Sequence, residues 1–291
     1  LRIGIHTSSA GALENSALEA MSLGANTFQI FSASPRMWRA ATVSPASTVA
    51  LRRLREQNDL WPLVIHDSYL INLGSQDPAI RAKSIAAFRG EIERALAIGA
   101  EHLVFHPGSA KDYSRELIVT AVADGMREAG QGLTGSLKLL IENTAGQGSV
   151  LGSTLEELAE IRSQAQAGLD FEVGYCLDTC HSFAAGYDLA SEAGLELFIQ
   201  KADALLGLER VPVIHANDSK GGLGSRLDRH EHIGEGLIGA AAFEQLLNHP
   251  KMMTKAFILE TPVDSPEDQS RDINKLKELC RKSPTVRKTS K

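Results

Sequence analysis

Short, unbroken apolar runs alternate along the chain with longer stretches of helical period. The runs occupy residues 3–6 (IGIH), 27–31 (TFQIF), 62–66 (PLVIH), 102–106 (HLVFH), 137–142 (LKLLIE), 173–178 (VGYCLD), 211–215 (VPVIH) and 256–260 (AFILE). Each is nearly continuous hydrophobe rather than alternating, the pattern of a parallel strand covered on both faces. Between them, Ile80, Ile85, Phe88, Ile92 and Leu96 recur near i, i+3/4, i+7 and predict a helix over 79–96. The segment 153–161 opens with Ser153 and Thr154, either of which can cap a helix, answered three residues on by Glu156 or Glu157. Segments 195–206 and 243–247 have the same period.

Eight strands, each followed by a helix, predict an α/β fold: a single (β/α)8 TIM barrel over residues 1–280. The alternative, an open doubly wound sheet, needs a glycine-rich phosphate turn after its first strand, where this chain has HTSSAG. Residues 281–291 (RKSPTVRKTSK) are expected to form a disordered basic C-terminal tail.

Composition narrows the class. With 291 residues, 43% hydrophobic and 23% charged, the chain is neither disordered throughout, collagenous nor coiled coil. Its three cysteines, Cys176, Cys180 and Cys280, are an odd count that suggests no disulfide framework. No run reaches membrane-helix length, and the start LRIGIHTSS has no apolar signal region, so a reducing cytoplasmic compartment is expected. The net charge is −6, and the tail holds five of the 30 Lys and Arg, leaving 25 basic against 36 acidic residues before it. That balance argues mildly against a polyanionic partner.

The ends of the last six runs carry chemistry that the composition does not suggest: His66, His106, Glu142, Asp178, His215 and Glu260. A barrel's active site lies at these C-terminal strand ends. Carboxylates crowded there without partners would be destabilised by desolvation and repulsion. Divalent cations resolve the conflict, and mixed N/O ligands suit Zn²⁺, Mn²⁺ or Fe²⁺. His181 follows Asp178 by three residues, so one turn can feed two neighbouring metals. Asp228 and His230, in the glycine-rich loop 221–236, are spaced i, i+2 and share a side in extended backbone. Nine ligands suffice for three metals with one carboxylate bridging. A sugar isomerase or epimerase with one or two metals would explain the strand ends but not the two further segments. A non-catalytic protein that keeps zinc structurally is a second alternative.

The stretches IHDSYLINL (65–73), FHPGS (105–109), IENTAGQGS (141–149), DTCHSFAAGYD (178–188), HANDSKGGLGSRLDRHEHIGEGLIG (215–239) and ILETP (258–262) together resemble endonuclease IV, the metal-dependent apurinic/apyrimidinic endonuclease family of base excision repair. The resemblance implies three zinc ions, with Mn²⁺ at some positions. His66 and His106 would hold the first, Glu142 would bridge it to the second, and Asp178, His215 and Glu260 would complete the second. His181, Asp228 and His230 would hold the third. It implies hydrolysis of the phosphodiester 5′ to an abasic site, with Glu142 orienting the nucleophile, and a product pair of 3′-hydroxyl and 5′-deoxyribose phosphate. The partner would be double-stranded DNA with abasic sites or blocked 3′ ends, the enzyme an intracellular, nucleoid-associated monomer. Arg36, Tyr69 and Leu70 would insert at the lesion, where a missing base lowers the cost of extrusion, and the loop 33–40 also keeps the Trp38–Arg39 pair.

Other residues carry weaker expectations. Asn217, Ser219, Lys220, Arg226 and Arg229 are candidate phosphate contacts. His6 is a candidate support for the metals, and His232 is a spare neighbour of the ligand loop. Cys176 reads as a small buried hydrophobe and Cys180 as an occasional extra ligand.

Overall fold

The computed structural model describes residues 1–38 and 42–280. The expected tail, 281–291, and Arg39 lie outside the described residues. In chain order the strands are β1 (Arg2–His6), β2 (Thr27–Phe31), β3 (Leu63–His66), β4 (His102–Phe105), β5 (Lys138–Glu142), β6 (Glu172–Asp178), β7 (Val213–His215), β8 (Asp218–Ser219), β9 (His230–Glu231) and β10 (Ala256–Leu259). The helices are α1 (Leu13–Ser22), α2 (Pro45–Gln57), α3 (Pro78–Ile98), α4 (Arg115–Gly130), α5 (Leu155–Gln166), α6 (Thr179–Ala185), α7 (Glu192–Leu206), α8 (Ala240–Asn248) and α9 (Asp268–Leu279).

The eight predicted runs form a closed parallel barrel in the order β1-β10-β7-β6-β5-β4-β3-β2. β1 closes it, with Gly4 opposite Thr27 on one side and Ile258 on the other. The short strands β8 and β9 make a separate antiparallel ribbon in the long loop after β7.

Helix boundaries follow local chemistry. Asp77 caps α3 by accepting from the amides of Ala79 and Ile80, with Pro78 at the first helical position and Gly99 closing the helix at φ 81°. For α5, Thr154 rather than Ser153 is the cap, accepting from Glu157 N. The segment after β6, expected to be a turn, is the short helix α6. Its cap is Asp178 itself, whose Oδ1 accepts from His181 N at 2.7 Å.

Two cores result. The larger lies between barrel and helices, built from residues such as Phe28, Phe88, Leu139, Phe171 and Phe257. The smaller is Val64, Val104, Leu140, Cys176, Val213 and Ile258, one residue from each of six strands, fully buried. Each precedes one of the six strand-end residues His66, His106, Glu142, Asp178, His215 and Glu260 by two positions. Side chains at i and i+2 share a face of a strand. An apolar layer that fills the barrel therefore aims the residue two positions on, in each of these six strands, into the mouth above it. Cys176 belongs to this layer as a buried thiol, as the sequence suggested.

Candidate metal centre

The six strand-end residues meet at the barrel mouth. Glu142 is fully buried at their centre. Its Oε2 lies 3.0 Å from His66 Nε2 and 2.9 Å from His106 Nε2, and its Oε1 lies 2.8 Å from His215 Nδ1. Glu260 Oε2 is 3.3 Å from the same His215 nitrogen. Two compact groups of potential ligand atoms result, His66–His106–Glu142 and Glu142–Asp178–His215–Glu260, with Glu142 common to both. These coincide with the first two predicted sets.

The third predicted set also comes together. Asp228 Oδ1 lies 3.3 Å from both His181 Nε2 and His230 Nε2. One feature differs from expectation. Asp178 reaches this group as well, its Oδ2 lying 3.7 Å from His230 Nε2, so it stands between the second and third sets. Cys180 also comes within ligand range of Asp228 and His230, but burial pushes its thiol up to about 12 and its Sγ donates to Arg229 O.

So many carboxylates and imidazoles can pack this closely only with positive charge among them. Without metal, protons supply it. Burial works against the charge of Glu142, but His215 and His106 outweigh it and hold the carboxyl well below its usual range. Burial likewise opposes the imidazolium forms, yet Glu142 raises His66 to about 9, and Asp178 and Asp228 raise His181 to about 10. Asp228 itself is strongly depressed against burial by His181 and His230.

The donor set fits divalent cations in a second way. In four of the histidines one ring nitrogen is committed outward. His66 Nδ1 donates to Asp67 O at 3.1 Å, His181 Nδ1 to Asn143 O at 2.9 Å, and His230 Nδ1 to Glu260 O at 3.0 Å. His215 Nε2 bonds Gln29 Oε1 at 2.8 Å. Backbone carbonyls only accept, so the opposite nitrogens of His66, His181 and His230 are free to present lone pairs inward, as metal-binding histidines do. The inward Nε2 atoms of His181 and His230 are buried and face Asp228 Oδ1 at 3.3 Å without a well-formed hydrogen bond. A buried polar atom left in this way is costly unless something binds it.

A cavity of about 300 Å³ lies over the cluster, lined among others by His6, Tyr69, His106, Asp228 and Thr261. At its edge Tyr69 is 63% exposed and packs edge-on against Phe31, with ring centroids 5.4 Å apart. Leu70 beside it is half-buried. Arg36 is exposed on the loop after β2, and Ser68 Oγ stitches that loop to Tyr69's by donating to Pro35 O at 2.8 Å.

Several weaker expectations change. Asn217 is fully buried and donates to Asp178 Oδ2 at 2.6 Å, so it orients a candidate ligand rather than facing solvent. Ser219 is buried and donates to Gly221 O. His232 is no spare ligand, because its Nδ1 pairs with the buried Asp272 at 2.8 Å. The sequence reading missed Gln29, Asn143 and Asp218. Gln29 had a signal, a lone polar residue inside an apolar strand.

Comparison with known proteins bears on this geometry. Residues 18–279 match a family described as a xylose isomerase-like TIM barrel. A relative named probable endonuclease 4, from Solibacter usitatus, is 55% identical over 96% of this chain and 97% of its own length. The crystal structure of endonuclease IV from Thermus thermophilus superposes with a TM-score of 0.84 at 41% identity, covering 96% of this chain and 98% of that one. A D-tagatose 3-epimerase-like protein, 22% identical over 96% of this chain and 97% of that one, has a TM-score of 0.70 and shares the fold alone.

Proposed function

This chain belongs to the endonuclease IV family, and from that premise we propose that it cuts DNA at the phosphodiester 5′ to an abasic site, leaving a 3′-hydroxyl and a 5′-deoxyribose phosphate, and trims blocked 3′ ends. The reading is carried by one observation, that Glu142 is shared between two ligand groups at the mouth of a barrel. Three zinc ions, with Mn²⁺ at some positions, would be held by His66, His106 and Glu142; by Glu142, Asp178, His215 and Glu260; and by His181, Asp228 and His230. Bound there, such metals supply Lewis acidity, lowering the pKa of water toward neutrality and neutralising charge on a phosphate.

The chain's own residues do the rest. Glu142, buried and held ionised, orients the attacking water with its carboxylate oxygens. The outward hydrogen bonds of His66, His181 and His230 hold each ring in one orientation, so the mouth needs no rearrangement as charge develops on the phosphate. Tyr69, Leu70 and Arg36 stand on the two stitched loops at the rim, where they would enter the duplex at the lesion and hold the extruded sugar against the cavity. An epimerase reading leaves the His181–Asp228–His230 group without a purpose.

A nicking assay on paired oligonucleotides, one with a single abasic site and one intact, tests the function. The abasic strand alone should be cut, at its 5′ side, and activity should vanish on chelation and return with Zn²⁺. Equal cutting of both duplexes, or full activity after verified metal removal, would sink the proposal.

A further inference from the structure

Gln29 is fully buried in β2, a strand that contributes no residue to the candidate ligand sets. In a strand otherwise apolar or aromatic apart from its first residue, a buried primary amide must find its hydrogen bonds in the barrel. It finds them on the candidate metal centre. Gln29 Nε2 donates to Glu260 Oε1 at 2.6 Å and lies 3.1 Å from His6 Nδ1, while Gln29 Oε1 lies 2.8 Å from His215 Nε2.

The orientation of this amide is decided by its neighbours. An ionised carboxylate only accepts, so the NH2 end of Gln29 must face Glu260. A flipped amide would set two oxygens against each other at the 2.6 Å contact. The carbonyl end then faces His215, whose Nε2 must carry a proton. In the neutral ring that metal ligation requires, the lone pair is then left on Nδ1, the atom that faces both Glu142 Oε1 and Glu260 Oε2. The second N–H of the same amide makes His6 an acceptor at Nδ1 and leaves its proton on Nε2.

We propose that Gln29 is the positioning residue of the second metal site: one amide selects the His215 tautomer that presents Nδ1 to the metal and holds Glu260 beside it. This rests on the metal reading given above. It assigns β2 the task of orienting ligands supplied by β7 and β10.

Two measurements test it. In Zn²⁺-loaded wild-type protein with labelled histidine, long-range proton–nitrogen correlation should find His215 protonated at Nε2. Protonation at Nδ1 overturns the proposal, and this readout needs no variant. Gln29→Met keeps side-chain length and loses both polar ends. It should keep the wild-type circular dichroism spectrum and surrender Zn²⁺ to a competing chelator at about 10–100-fold lower chelator concentration. Zn²⁺ held as tightly by Gln29→Met as by wild type overturns the role of Gln29 alone. A wild-type protein that takes up no Zn²⁺ overturns the metal reading, and this one with it.

Discussion

Glu142 places one oxygen between His66 and His106 and turns the other to His215, so a single side chain serves both halves of the centre. Glu142→Gln keeps the shape and removes the charge. It should still bind abasic DNA in a gel-shift assay while cutting slows by about 10²–10⁴-fold; cutting at the wild-type rate would contradict its role. Tyr69, mostly exposed beside this cluster, touches Phe31 and His66 but no ligand pairing depends on it. Tyr69→Ala should therefore retain its full metal content and lose about 1–3 kcal/mol of affinity for abasic duplex. Unchanged affinity would make it a packing residue. The strand-end candidate ligands could be picked out in the chain because each terminates an apolar run. Gln29 stands out there only as a polar residue in an apolar strand; its role could not be read, because its partners Glu260 and His215 lie 231 and 186 residues further along.

Elements place the ligands that strand ends do not. Helix α6 begins on Asp178, so the residue that ends β6 also fixes where His181 points, one turn on. The ribbon of β8 and β9 carries His230, and its anchor is the fully buried Asp218. Asp218 accepts from the amides of Ser219, Gly234, Ile238 and Gly239, drawing both ends of the loop together. Gly236 passes so close that a Cβ there would lie 2.5 Å from Asp218 Oδ1. Asp218→Ala strips these buried donors of their acceptor. It should cost roughly 3 kcal/mol in denaturant unfolding of the metal-free protein and lower zinc bound per chain by loosening His230. Wild-type stability and zinc content would show that the loop is held elsewhere. In the sequence Asp218 reads as one more acid in a polar loop, since nothing local says that three distant amides converge on it besides that of Ser219.

At the scale of the molecule, the opening objection from charge applies to the chain without metal. Four of the 36 acidic residues sit in the candidate centre, where divalent cations would turn an acidic mouth into a positive one, opposite a substrate phosphate. Protons and metals compete for the same atoms, which sets a pH signature. His66 and His230 are raised from 6.5 to about 9, and His181 to about 10. Their contribution to the metal-free fold is complete below 6.5 and is lost as pH climbs through 9–10. Glu142, Glu260 and Asp228 are depressed, so their contribution is present above the ordinary carboxylate range and lost on acidification. Metal-stripped protein should thus melt highest in mildly acidic buffer and lose stability toward pH 10, whereas zinc-loaded protein should hold its metal more tightly as pH rises. Identical melting profiles for the two forms would refute the competition. The sequence by itself determined the parallel barrel and the chemistry of its mouth. Strand burial is written in local periodicity, and the same two-residue repeat that fills the interior with Val64, Val104 and Leu140 also aims His66, His106 and Glu142. Only the tertiary structure decided how those groups are shared: Glu142 between the first and second candidate sets, Asp178 between the second and third, and Gln29 against His215 and Glu260. Such pairings arise when the barrel closes and brings distant strands face to face, and a one-dimensional pattern carries no record of which strand will look at which.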